Sequence, residues 1–274
     1  MTELIGTPDF VHGTPPRTGV LLVNLGTPDD PSPAAVRRYL KEFLSDPRVI
    51  EAPRALWWLV LNGIILRTRP RKSAHAYQKI WTPEGSPLLV ASRALAQGLG
   101  ARLGAAFGES VTTALAMTYG RPSMAEVLEQ FRRANVQRLL VLPLYPQYSS
   151  TTTGTIFARL TAELARWRWM PELRFVNQYW EEASYLEAVA ESVAAHWRAR
   201  GRAHLLFSFH SIPKRYFVAG DPYHCFCHGT ARAVAERLGL AEGEWSVAFQ
   251  SRFGREEWLK PYVDVLVKEY AQSG

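Results

Sequence analysis

Leu205-Leu206-Phe207-Ser208-Phe209-His210-Ser211-Ile212-Pro213 is an apolar, aromatic run that halts at a histidine. Aromatic and large apolar side chains suit a pleated, buried surface, and Pro213 cannot extend a hydrogen-bonded ladder. The stretch therefore predicts a buried strand with His210 at its carboxyl end. In an open α/β sheet that end is where ligands bind. A histidine beside an apolar run is more often a satisfied core or surface residue, so its surroundings must decide.

Outward from this strand the chain alternates short apolar, β-branched runs with segments of three-to-four apolar spacing. Strands are predicted at 20–25, 112–118 and 138–144, and again at 173–177, 204–209 and 245–250. Helices are predicted at 33–44, 55–66, 86–103, 124–134, 152–169, 182–198 and 230–238. Such alternation specifies parallel sheets with right-handed crossovers. Two passes of it predict an α/β chain of two similar doubly wound, Rossmann-like domains facing a cleft. The expected division is 17–170 and 171–274, at Met170-Pro171.

The 274 residues are 47% hydrophobic, yet no run of eighteen apolar residues occurs and the polar start, Met1 to Gly13, has no signal-peptide core. A cytoplasmic location is the expectation. A formal charge of +7 favours anionic partners without choosing among them. No nucleic-acid-binding pattern accompanies it, so nucleic acid is not an expected partner. Arg67, Arg69, Arg71 and Lys72 follow an apolar stretch holding Trp57 and Trp58. That pairing reads as a solvated basic face, a carboxylate clamp, or a lip permitting peripheral membrane contact.

Only two cysteines occur, within His224-Cys225-Phe226-Cys227-His228. Structural zinc sites space their cysteines more widely and draw on two segments, so a helix start is the simpler reading. The Ser/Thr run from Ser149 to Thr155 reads as helix capping before phosphate binding, and no phosphate-loop or dinucleotide fingerprint is present.

Ser208-x-His210-Ser211-Ile212-Pro213, with Gly220-Asp221-Pro222-Tyr223 after it, resembles the signature of ferrochelatases, which insert ferrous iron into a porphyrin. The resemblance continues through Leu22-Val23-Asn24-Leu25-Gly26-Thr27-Pro28, Gly85-Ser86-Pro87-Leu88, Met117-Thr118-Tyr119-Gly120, Leu142 to Ser149, Gln250 to Gly254 and Trp258 to Pro261. It implies a lyase of heme biosynthesis with chelatase-like domains, the second incomplete. Its partners would be protoporphyrin IX and ferrous iron, giving protoheme. By motif position it implies that His210 is the catalytic base or metal ligand, and that Leu25, Arg69, Tyr77, Ser86, Tyr119 and Trp258 contact the porphyrin. Arginine pairing with a propionate and an aromatic wall against a macrocycle fit that chemistry.

Two departures matter. Thr118 stands where some relatives carry arginine, and Ser150 where cluster-bearing relatives carry cysteine, so no iron–sulfur cluster and no cofactor beyond substrate iron are expected. Relatives pair the histidine with a glutamate from a Glu-rich block after the Trp-Leu-x-Pro helix, and no such block precedes Gly274. The expectation is a carboxyl-terminally truncated chain with impaired activity. A noncatalytic tetrapyrrole-binding fragment, or a chelatase for another metal or porphyrin, are the alternatives.

Overall fold

The computed structural model describes residues 4–252, 254 and 256–273. Met1 of the polar start, Phe253 of the Gln250 to Gly254 motif and the terminal Gly274 lie outside the described residues. Two compact units divide the chain. One runs to Tyr145 and resumes over Ser150–Asn177; the other takes Pro146–Ser149 and the chain from Gln178.

The first unit opens with β1 (Arg17–Thr27) and α1 (Pro33–Ser45), whose start is fixed by Ser32 Oγ accepting from Ala35 N at 3.2 Å. α2 (Arg54–Val60) passes through a π-helical turn, Leu61–Ile65, straight into α3 (Leu66–Ile80). The basic cluster therefore lies on a helix that the sequence pattern missed, because charges at Arg67, Arg69, Arg71 and Lys72 mask its apolar face. α4 (Pro87–Phe107), β2 (Val111–Gly120), α5 (Met124–Arg133), β3 (Val136–Pro143), α6 (Thr153–Leu164) and β4 (Glu172–Phe175) complete the unit. A reciprocal pair starts α5: Ser123 Oγ accepts from Glu126 N, and Glu126 Oε2 accepts from Ser123 N at 2.9 Å.

All four strands are parallel, in the order β2-β1-β3-β4. Residues of β1 alternate between two cores, which is what doubly wound means physically. Leu21 and Val23 pack with Val127 and Phe131 of α5 and Ile156 and Leu160 of α6. Val20 and Leu22 pack with Leu89, Ala96 and Leu99 of α4. Sequence periodicity had assigned residues 173–177 to the second pass. Instead β4 pairs with β3, from Arg138↔Glu172 to Val141↔Phe175, so the first unit continues past Met170-Pro171. Local pattern reports that a segment is a strand, not which sheet it joins.

The second unit contains α7 (Ala183–Arg200), β5 (Leu205–His210), α8 (Lys214–Val218), α9 (Tyr223–Arg237), β6 (Trp245–Gln250) and α10 (Val263–Ser273). β5 and β6 form a parallel pair, from Leu205↔Trp245 to His210↔Gln250. The expected burial of β5 does not hold: Leu205, Leu206, Phe207 and Phe209 are half-buried, and Ser208 and His210 are exposed. Among the described residues its sheet has two strands, so β5 lacks the neighbours that would cover it. α9 begins at Tyr223 and carries the whole His-Cys-Phe-Cys-His segment, seven residues ahead of the expected start at Thr230.

Candidate functional site

In the first unit, the carboxyl ends of β1 and β2 are drawn together by two glycines. Gly26 has φ 109°, and a Cβ there would stand 1.7 Å from the Tyr119 carbonyl oxygen. Gly120 has φ 82°, and its Cβ would stand 2.8 Å from the Thr27 carbonyl oxygen. Only glycine meets both conditions at either place.

This junction carries Leu25 and Tyr119. Leu25 is half-buried, its N–H donating to Asn24 Oδ1 at 2.8 Å. Tyr119 is 1% exposed, packed edge-on against Phe43, with the Arg159 guanidinium 4.8 Å from its ring centre. Burial, then the Asp46 charge, pushes its phenol far above the usual range. Its hydroxyl has no hydrogen-bond partner, and neither do the buried side-chain oxygens of Thr27, Tyr145 and Thr153. Arg159 is fixed by Glu42 at 3.2 Å and by the Thr118 carbonyl. Glu42 also accepts from Gly120 N at 2.9 Å. A hollow of about 510 Å³ opens beside this network, lined among others by Pro28, Arg38, Arg121 and Glu126. None of the six expected porphyrin contacts lines it.

The other expected contacts of this unit lie on α3 and α4. Arg69 is exposed on α3. Tyr77 is half-buried a turn before Trp81, ring centres 6.2 Å apart, and burial raises its phenol pKa. Ser86 is the N-cap residue of α4 and is buried, but its side chain makes no capping bond. Its hydroxyl is therefore not spent on the first turn of α4.

The second unit holds His210 and Trp258. Beyond His210 the chain leaves β5 through Ser211, whose N–H donates to the Gln250 carbonyl at 2.7 Å and whose Oγ donates to the Leu259 carbonyl at 3.3 Å. Leu259 N donates to the Ile212 carbonyl at 3.1 Å, and Pro213 and Trp258 form a bridge. Trp258 thus belongs to an extended strap beside the end of β5 and not to the helix its Trp-Leu-x-Pro context suggested. Lys260-Pro261 closes that strap with a cis peptide, and helix resumes only at Val263. His210 Nδ1 lies 2.7 Å from the Ser211 carbonyl oxygen. A carbonyl only accepts, so Nδ1 is the donor here, and in the neutral form of the ring the lone pair lies at Nε2.

Two motif residues that sequence reasoning left without a role are structural. Asp221 Oδ2 accepts from Ser149 Oγ at 3.0 Å, and its other oxygen accepts from Tyr223 N at 3.1 Å. Gln147 Nε2 donates to Thr230 Oγ1 at 2.9 Å. The Pro146–Ser149 segment is thereby pinned to the turn before α9 and to the middle of that helix. Their polar identity was visible in the sequence, but their partners lie 72 and 83 residues away.

One turn apart on α9, the His224 and His228 rings have centres 4.4 Å apart, and both face Phe249 of β6. Burial lowers both imidazole pKa values, and for His228 the charges of His224 and Arg232 add to it. Among the described residues no three His, Cys, Asp or Glu side chains converge as a metal cage. No described helix is long and apolar enough to cross a membrane.

The family model described as Ferrochelatase matches residues 17–274. The chain is 59% identical over 269 residues to the ferrochelatase of Thioalkalivibrio sulfidiphilus, a match covering 98% of this chain and 73% of that protein. It is 55% identical over 270 residues to the ferrochelatase of Nitrosococcus oceani, covering 98% of this chain and 73% of the relative. With the ferrochelatase of Teredinibacter turnerae, identity is 56% over 267 residues, covering 97% and 73%.

Proposed function

The chain belongs to the ferrochelatase family, and from that premise we propose that it inserts ferrous iron into protoporphyrin IX to give protoheme, in heme biosynthesis. Two pyrrole N–H protons leave as one Fe²⁺ enters, so the protein must accept protons and guide a divalent ion. The observation that carries the proposal is His210: exposed at the carboxyl end of β5, with Nδ1 held by the Ser211 carbonyl and Nε2 presenting a lone pair. A neutral imidazole in this state accepts a proton or ligates Fe²⁺. His210 takes one of these roles at the porphyrin centre.

Porphyrin contact is assigned by motif position to Leu25, Arg69, Tyr77, Ser86 and Tyr119 in the first unit and to Trp258 in the second. The exposure of Arg69 supports a propionate role, since a guanidinium pairs bidentately with a carboxylate. The uncommitted Ser86 hydroxyl supports a polar contact. Tyr119 is covered, so what supports its assignment is its place at the β1–β2 junction that carries Leu25. Iron is substrate, and with Ser150 in place of a cluster cysteine the reading includes no iron–sulfur centre.

A cytoplasmic enzyme touching the membrane surface is the accompanying proposal. Leu56, Trp58, Leu59 and Ile64 are each at least 60% exposed beside the basic start of α3. An apolar lip next to cations matches an anionic lipid surface. The deciding experiment is anaerobic incubation of the protein with Fe²⁺ and protoporphyrin IX, following protoheme by its absorption. Catalytic, protein-dependent formation is expected. Porphyrin binding without metal incorporation would replace the reading with a tetrapyrrole-binding protein.

A further inference from the structure

We propose that His224 and His228 form a second site for a borderline divalent transition metal, distinct from His210, in which two imidazoles one helical turn apart chelate the ion from α9. The argument starts from helix geometry: residues at i and i+4 lie on one face, so two histidines at that spacing present both rings to one point. The ring centres here are 4.4 Å apart. A metal–nitrogen bond of about 2.0–2.1 Å places each ring centre roughly 3 Å from a shared ion, so the observed separation is within reach of one metal.

A second observation points the same way. His228 Nε2 is buried and has no hydrogen-bond partner. An orphaned buried ring nitrogen costs free energy that a bound ion would recover. The alternative account, packing alone, explains the contacts of the rings with Phe217 and Phe249 but not the unmatched nitrogen. An asparagine or a phenylalanine would pack there without the chemistry of imidazole.

The donor set fixes the class of ligand. Two imidazole nitrogens suit Zn²⁺, Cu²⁺, Ni²⁺, Co²⁺ and Fe²⁺ and not the oxygen-seeking Mg²⁺ or Ca²⁺. No third His, Cys, Asp or Glu converges with the pair among the described residues, so water completes the coordination. Cys227 next to His228 is fully buried, packed in the core with Ile212, Tyr216 and Phe249, which keeps it out of the ligand set. The Arg232 charge, one turn beyond His228, opposes an incoming cation. Two ligands, bound water and a neighbouring guanidinium describe a site weaker than a closed structural zinc centre, and the burial of His228 Nε2 means that the ring must shift to admit the ion.

The test is metal binding by the whole chain without porphyrin, in a His210→Ala background so that the catalytic histidine contributes nothing. Equilibrium dialysis against Zn²⁺ is expected to lose one bound equivalent when His224→Gln and His228→Gln are combined. Each single change should weaken that equivalent by at least about tenfold, the low end of the 10–100-fold cost of losing even an outer-shell partner. Cu²⁺ electron paramagnetic resonance should show hyperfine splitting from two nitrogens, reduced to one in either single variant. Far-UV circular dichroism of the metal-free variants checks that α9 still folds. If His228→Gln does not fold, His224→Gln alone keeps the test alive, because that half-buried ring is the other half of the pair. Unchanged stoichiometry and splitting in folded variants would overturn the proposal. So would loss of the equivalent on Cys225→Ser with both histidines intact, which would reassign the metal to a thiolate.

Discussion

His210 Nδ1 lies 2.7 Å from the carbonyl oxygen of the very next residue, Ser211. The contact needs no partner from another element, so the ring's orientation is written into the Phe209-His210-Ser211 backbone. Ser211 is itself held by the Gln250 and Leu259 carbonyls. Replacing His210 by alanine should lower iron insertion by roughly 10²–10⁴-fold, the range for a general acid–base group. Porphyrin binding, followed by fluorescence quenching, should change little. Equal loss of both would make the residue structural.

Arg69 is exposed on α3, where a carboxylate-bearing ligand can reach it. Arg69→Ala should weaken protoporphyrin more than its dimethyl ester, by about tenfold for a charge-assisted pair worth roughly 1.5 kcal/mol. Matched titrations of acid and ester check this; equal weakening of the two argues against a propionate clamp.

The β1–β2 junction should be intolerant of any side chain at Gly26. A Cβ 1.7 Å from the Tyr119 carbonyl forces the strands apart, so Gly26→Ala should cost at least ~3 kcal/mol. Gly98 lies inside α4 with open space around it. There the same change should add about 0.5–1 kcal/mol by removing the entropy of a helical glycine. Urea denaturation of the two variants measures both signs.

Acid should reveal Glu129. Hydrogen bonding to Arg132 opposes burial and brings its carboxyl down to about 2 from an ordinary 4.5, with Arg133 also contributing. A depressed carboxylate stabilises the fold fully above its unfolded value and ceases to do so as pH falls through the folded one. The difference in melting temperature between the wild type and Glu129→Gln should be largest above about pH 5 and vanish toward about pH 2. A gap that grows on acidification would reverse the assignment.

The two cysteines should react unequally. Cys225 is exposed, whereas Cys227 is buried with its thiol pushed up to about 12. Brief iodoacetamide treatment of the folded protein should label Cys225 alone by peptide mass analysis, since the thiolate is the nucleophile. Labelling of Cys227 at a similar rate would show that α9 opens readily.

Much of the candidate site was legible in sequence because its cues are local. The aromatic run before Pro213 located His210 at a strand end. Burial was less legible: Phe207 and Phe209 suggested a covered strand, yet β5 is half-buried because coverage depends on neighbours that its own residues do not encode. Charge hid α3, since four exposed cations interrupt the pattern by which an amphipathic helix is recognised.

What the sequence alone determined is thus the alternating α/β order, the apolar runs of β1 and β5, and the family motifs that name His210. Tertiary structure decided which sheet receives β4 and that Ser149 and Asp221 lock together across 72 residues. It also decided that the Tyr119 hydroxyl is buried without a partner and that His228 Nε2 shares that condition. The division has a physical cause. Periodicity and turn chemistry act over a few residues, whereas strand pairing and polar satisfaction are settled by groups far apart in the chain that only packing brings together.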